Sequence, residues 1–185
     1  AYPEDGGNYL ELFKRANYSL EYSKIMGKNR MTVFSGNILA DRERRLELME
    51  LLRESVERGF AGFTIHYQPQ VDTVSGRLCG AEALARWHCG KYGDVSPGEF
   101  IPLMEQSGLI VPFGQWILSH GMAQCLEWRR SRPDFQISVN LSYLQLSQGD
   151  FISFLRTALE ENSLDPSRLI MELTETYLAK AEVDT

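Results

Sequence analysis

From residue 60 onward, short runs of alternating apolar and polar residues take turns with long stretches of helical spacing. That alternation restricts the fold more than any other feature of the chain. FTIHYQPQVD (63–72) and RLCGAEALARW (77–87) have strand period, and the short TVSG turn between them (73–76) dictates an antiparallel hairpin. SPGEFIPLMEQSGLI (96–110) and VPFGQWILSHGMAQCLEWRRS (111–131) are helical, the first opening at N-cap Ser96 with Pro97 at its first position. A third strand, FQISVNLS (135–142), a helix, DFISFLRTALEENSL (150–164), and a fourth strand, RLIMELTE (168–175), complete the pattern. Strands separated by helices of this length pair in parallel and lie under those helices.

Each strand has one apolar and one polar face. Phe63, Ile65 and Tyr67 oppose Thr64, His66 and Gln68; Ala81, Ala83, Ala85 and Trp87 oppose Glu82, Leu84 and Arg86. Ile137, Val139 and Leu141 oppose Ser138 and Asn140, and Leu169, Met171 and Leu173 oppose Ile170, Glu172 and Thr174. The covering helices are therefore expected on the faces of Ile137, Val139 and Leu173, with Ser138 and Thr174 turned away from them.

The residues before 60 read differently. NYLELFKRANYSLEYSKIM (8–26) has near-helical apolar spacing with Gly27 as a C-cap, and Arg30 to Phe34 is a short strand candidate. One helix and one strand bury too little surface to fold alone, so residues 1–35 are expected to be the end of a preceding domain. ILADRERRLELMELLRESVER (38–58) is a charged amphipathic helix with Leu46, Met49, Leu52 and Val56 as its stripe and Gly59 as its end. It is read as a linker helix resting on a domain surface, or as a signalling rod between two domains.

A net charge of −6 at 43% hydrophobic and 24% charged residues argues for a globular protein without a nucleic-acid polymer as partner, which would need a basic footprint. No apolar run approaches a membrane span of roughly 18–20 residues, and residues 1–20 lack a signal-peptide pattern. The three cysteines form no CxxC pair and are read as reduced thiols in a cytosolic setting. The three histidines show no HxxxH spacing, which leaves them packing or surface roles rather than a zinc site.

Functional groups gather at the C-terminal ends of the parallel strands in barrels. Glu82, Asn140 and Glu172 lie late in their strands on the polar faces. Two carboxylates and an amide oxygen form a hard, all-oxygen set suited to Mg²⁺, Mn²⁺ or Ca²⁺. Arg86, farther along the strand from Glu82, would sit nearer the mouth and could fork a phosphate. The same three residues could instead cap loops or pair with their neighbours, and the pattern alone leaves both readings open.

Gln68 in HYQPQVD, Glu82-Ala83-Leu84 in GAEALARW, SPGEFIPLMEQSGLI, Asn140 in SVNLS and Glu172 in MELTE closely resemble the EAL domain family of cyclic di-GMP phosphodiesterases. The resemblance runs from about residue 60 to 176. YPEDGG, the helix ending in YSKIMGKNR and the following MTVF resemble the C-terminal end of a GGDEF diguanylate cyclase domain.

The first resemblance implies an α/β, TIM-barrel-like fold with an antiparallel first strand, of which this chain holds about half. It divides the chain into a GGDEF-like end (1–35), a linker helix (36–59) and the N-terminal half of an EAL domain (60–185). It implies that Glu82, Asn140 and Glu172 ligate metal, and that Gln68, Leu84 and Arg86 contact the dinucleotide, Arg86 at a phosphate. Glu82, Glu172 and Glu175 are the implied catalytic residues, Glu175 by bracing a mobile active-site loop. The family's aspartate pair, catalytic lysine and a further glutamate have no counterpart in this sequence, and a barrel needs roughly 250 residues. The expected activity is thus metal-dependent hydrolysis of cyclic di-GMP to linear pGpG by the intact parent, using two Mg²⁺ or Mn²⁺ ions, with the fragment alone inactive. The alternatives are a non-catalytic cyclic di-GMP sensor and a module that makes only protein contacts. The expected partners are the dinucleotide and either a second copy or the other half of the barrel. The expected setting is the bacterial cytoplasm, with any membrane anchor of the parent lying in N-terminal segments outside this chain.

Overall fold

A computed structural model of the chain describes residues 2–25, 27, 29–147 and 150–173. It divides into two compact units, residues 1–50 and 51–185. Among the described residues, no helix is long and apolar enough to cross a membrane.

In the first unit, helix α1 (Tyr9–Ile25) starts at a reciprocal cap. Asn8 Oδ1 accepts the Glu11 amide at 3.0 Å, and Glu11 Oε2 accepts the Gly7 amide at 2.9 Å. Residues 30–34, expected as a strand, are irregular instead. Among the described residues no strand pairs with them, and an extended segment without a ladder partner has no strand hydrogen bonds to make. Thr32 is tied to α1 by a 2.6 Å hydrogen bond from the Ser23 hydroxyl. Helix α2 (Gly36–Glu57), whose residues from Leu51 on belong to the second unit, is tied to α1 by an ion pair between Arg42 and Glu21. Its buried row runs through Leu48, Leu52 and Ser55, while Leu46, expected in the stripe, is 54% exposed. The i, i+4, i+7 spacing of the buried residues is the helical one; the expected stripe had the right period and began on the wrong residue.

In the second unit, strands β1 (Phe63–Val71) and β2 (Leu78–Cys89) form the expected antiparallel hairpin, with Phe63 opposite Trp87 and Gln68 opposite Glu82. A short strand β3 (Gly93–Val95), not foreseen from the sequence, folds back on the end of β2. Helix α3 (Pro97–Ser107) has the expected Ser96 cap, whose hydroxyl accepts the Gly98 amide, and ends at Gly108 in the left-handed region at φ 76°. Helix α4 (Ile110–Arg129) follows and leads to β4 (Gln136–Leu141), which pairs in parallel with β2. After the short helix α5 (Tyr143–Ser147) and helix α6 (Phe151–Glu161), a 3₁₀ turn leads to β5 (Leu169–Leu173), parallel to β4. The sheet order is β1-β2-β4-β5, with β3 paired to β2 beyond the end of β4.

The faces follow the alternation. Ala81, Ala83, Ala85, Trp87, Ile137, Val139 and Leu141 are buried. Gly121 of α4 lies against Val139, Ile137 and Ala83, so helix and sheet approach closely where a side chain on α4 would intervene. Leu173, expected under a helix with Ile137 and Val139, is 53% exposed. It ends β5, the outer strand of the sheet among the described residues, where the helical cover over β2 and β4 does not reach. Ser138 is fully buried although its face is the polar one, because Gln70 reaches over it. Thr174 lies outside the described residues.

Phe63 anchors one end of the core. Its ring stacks on Trp87 at 5.5 Å and meets Phe100 and Phe113 at 5.5 and 5.2 Å, joining β1, β2, α3 and α4. Replacing it leaves a large hole among rings that cannot all move inward. Phe63→Ala is expected to lower stability by about 3–5 kcal/mol in a urea melt; a loss under about 1 kcal/mol would contradict this packing role.

Candidate functional site

The polar face of the sheet brings the expected site residues onto adjacent strands. Because directly paired residues share a face, Gln68 on β1 lies beside Glu82 on β2, and Asn140 on β4 beside Glu172 on β5. Glu82 is level with Ser138, and the parallel ladder between β2 and β4 ends one step later at Ala83 and Val139. Glu82 is therefore late in the parallel part of β2, although the strand itself runs on to Cys89 in its antiparallel pairings. The Asn140 side chain closes the diagonal between the two strands: its Nδ2 donates to Glu82 Oε1 at 2.6 Å. Such a bond to a carboxylate is charge-assisted.

Leu84 and Arg86 continue the row along β2, opposite His66 and Thr64. Both are half-buried. Arg86 Nη1 donates to the Ala85 carbonyl at 2.8 Å, so the guanidinium is folded against its own strand. Gln68 is exposed, and Glu172 is half-buried. Glu175 lies outside the described residues.

Below the Glu82–Asn140 level is a layer that the sequence reading missed. Gln70 on β1 reaches across β2 to Ser138 on β4, its Nε2 donating to the hydroxyl at 3.2 Å. It can do so because the intervening residue is Gly80. A Cβ there would lie 2.9 Å from the Gln136 carbonyl oxygen and 3.0 Å from Gln70 Oε1. The alternation had placed Ser138 on the polar face, but a bond across a whole strand leaves no periodic trace.

The turn after β4 is held by a second missed group. Gln145 Oε1 accepts the Ser142 amide at 2.9 Å, and the Ser142 hydroxyl donates to Glu105 Oε1 of α3 at 2.6 Å. The Ser-x-x-Gln spacing of residues 142–145 is a capping-box signal that could have located Gln145; Glu105 is distant in sequence and gave none.

Other titratable groups lie outside this row. Hydrogen bonds from Ser75 hold the Asp72 carboxyl below its ordinary range in the hairpin turn, and the Ser167 amide does the same for Asp165. Burial pushes the Cys125 thiol and the Tyr67 hydroxyl up. His88 pairs with Asp94 at 2.7 Å on the surface, and His120 Nδ1 lies 2.8 Å from the Trp116 carbonyl. Among the described residues, no three His, Cys, Asp or Glu side chains cluster as a metal site. The Glu82, Asn140 and Glu172 set has two carboxylates and one amide, a partial shell of hard oxygen donors. Its chemistry fits a hard divalent cation, provided the Asn140 amide turns its oxygen, rather than its nitrogen, toward Glu82.

The EAL domain family model matches residues 49–184. The bifunctional diguanylate cyclase/cyclic di-GMP phosphodiesterase MucR of Pseudomonas aeruginosa is 38% identical over 176 residues, 95% of this chain and 25% of MucR. A cyclic di-GMP phosphodiesterase of the same organism is 35% identical over 119 residues, 64% of this chain and 20% of that protein. The solved MucR phosphodiesterase in complex with c-di-GMP is 38% identical, with a TM-score of 0.64 over 75% of this chain and 57% of that one. The EAL enzyme Bd1971 shares the fold at 23% identity, with a TM-score of 0.67 over 94% of this chain and 46% of that one. This chain thus spans about a quarter of MucR's length.

The Gly80 gap gives a direct test of the lower layer. Gly80→Ala forces either the Gln136 backbone or the Gln70 side chain to move, and overpacking of this kind costs about 1–3 kcal/mol. A urea melt should show that loss, and Gln70→Ala in the same background should recover part of it. No loss would show that the β2–β4 spacing relaxes freely.

Proposed function

Because this chain belongs to the EAL domain family, whose relatives turn over or bind cyclic di-GMP, we propose that it forms the N-terminal half of a cyclic di-GMP phosphodiesterase barrel. The reaction is cleavage of one phosphodiester bond by water to give linear pGpG, with Mg²⁺ or Mn²⁺ held in part by Glu82, Asn140 and Glu172. The observation that carries this reading is the 2.6 Å contact from Asn140 to Glu82, which draws two of the three oxygen-donor residues together across neighbouring parallel strands. Divalent ions, when bound, supply an activated water and offset charge on the attacking and leaving oxygens.

The chain's own residues have distinct tasks in this reading. Glu82 and Glu172 supply negative charge, and Asn140 contributes an amide oxygen once its nitrogen leaves Glu82. Arg86 exchanges the Ala85 carbonyl for a phosphate oxygen of the dinucleotide, with Gln68 and Leu84 beside it. Glu175, outside the described residues, would brace the active-site loop, as the family resemblance implies. Two carboxylates offset only half the charge of two divalent ions, so the rest of the shell must come from outside this set.

The match to the bifunctional MucR over 95% of the chain also supports reading residues 1–35 as the end of a GGDEF-like domain, 36–59 as a linker helix and 60–185 as the EAL half. The outer edge of β5 calls for a neighbour, either the remainder of the barrel or a second copy.

Activity of the parent protein tests the reading. Glu82→Ala and Glu172→Ala should abolish pGpG formation, and residues 1–185 purified alone should form none. An inactive parent that still binds the dinucleotide would favour a sensor. Measurable turnover by residues 1–185 alone would overturn the charge argument. Arg86→Ala should weaken dinucleotide binding roughly tenfold to a hundredfold, the value of a charged hydrogen bond, and leave metal affinity nearly unchanged. Unaltered dinucleotide affinity would remove Arg86 from the site.

A further inference from the structure

The turn that follows Asn140 is held more firmly than a helix cap requires. In an ordinary capping box the N-cap hydroxyl accepts a backbone amide of the first turn. At Ser142 only half of that arrangement is present. Gln145 Oε1 takes the Ser142 amide at 2.9 Å, but the Ser142 hydroxyl donates to the Glu105 carboxylate at 2.6 Å. Cap formation is thus given up for a short, charge-assisted bond to another helix.

Gln145 is also fixed. It is 3% exposed and lies against α4 at Gly114, where a Cβ would fall 1.5 Å from its Nε2. No other residue type leaves room for that amide. Two helices therefore hold Ser142 directly, α3 through Glu105 and α5 through Gln145, and α4 packs against Gln145 at Gly114. Leu141, between Asn140 and Ser142, is itself buried. Asn140 is the last polar-face residue of β4 and projects from the end of this clamp toward Glu82.

We propose that Glu105, acting through the Ser142 hydroxyl, and Gln145, acting through the Ser142 amide, are positioning residues that aim Asn140 at the divalent-cation site. The proposal rests on the reading of Asn140 as a metal ligand. A strand end free to fray would let the Asn140 amide sample directions that no cation shared with Glu82 could use. The clamp removes that freedom in advance, so binding need not supply the ordering.

Mn²⁺ alone is the probe, with free ion measured by electron paramagnetic resonance in the full-length protein that carries this chain. Glu105→Ala and Ser142→Ala should each raise the Mn²⁺ dissociation constant about tenfold. The double variant should be no worse than either single one, because both remove the same bond. Glu105→Gln keeps an acceptor for the hydroxyl and should recover most of the affinity, which a general loss of stability would not explain. If Glu105→Ala does not fold, Ser142→Ala and Glu105→Gln carry the comparison. Unchanged Mn²⁺ affinity in these variants, with Asn140→Ala still losing it, would overturn the clamp and leave the metal-site reading standing. Unchanged affinity in Asn140→Ala would remove that reading and the clamp with it.

Discussion

A slip of β2 by one residue against β4 would turn Glu82 toward helix α4, bring Ala83 to the open face and leave Asn140 without its partner. Everything at the site depends on that register. It is fixed from the apolar side, where Ala83, Ile137 and Val139 press against Gly121 of α4. It is fixed from the polar side as well, where Gln70 spans Gly80 to reach Ser138. An unpaired carboxylate under α4 would be far costlier than the loss of a few aliphatic contacts. The core therefore places the charged row without any residue of the row having to stabilise the fold.

The row carries more charge than neutral strands would, and its polar groups bond to neighbours within the sheet. Asn140 gives its amide hydrogen to Glu82, and Arg86 folds its guanidinium onto the Ala85 carbonyl. Each bond offers a polar group a partner that a ligand can replace. A cation would take the Glu82 oxygen from the Asn140 nitrogen, and a phosphate would draw Arg86 off its carbonyl. Such exchanges cost less than ordering a free side chain, because Glu82 and Arg86 are already half-buried and Asn140 is already held toward Glu82.

Much of this was legible in the sequence because strand alternation has a fixed period. The opposing faces of β1, β2 and β4, the antiparallel hairpin and the Ser96 cap all follow from local spacing. The place of Glu82, Asn140 and Glu172 on polar faces follows too, since parity alone suffices for that. Features that depend on distant partners were not legible. Arg30 to Phe34 has strand composition but no pairing strand among the described residues; β3 is too short to show a period; Leu173 has the right parity on the strand that is outermost among the described residues. The Ser142–Glu105 bond joins the turn after β4 to helix α3, and no spacing rule connects them.

The central claim is that Glu82, Asn140 and Glu172 form a shared divalent-cation site. Paramagnetic broadening by Mn²⁺ at substoichiometric concentration, read from side-chain amide and carboxyl signals of isotope-labelled full-length protein, tests it most directly. The account predicts that the Asn140 side-chain amide and the Glu82 and Glu172 carboxyl carbons broaden first and together, while those of Asp72 and Asp165 stay sharp. Broadening centred on Asp72 or Asp165, with Asn140 unaffected, would contradict it.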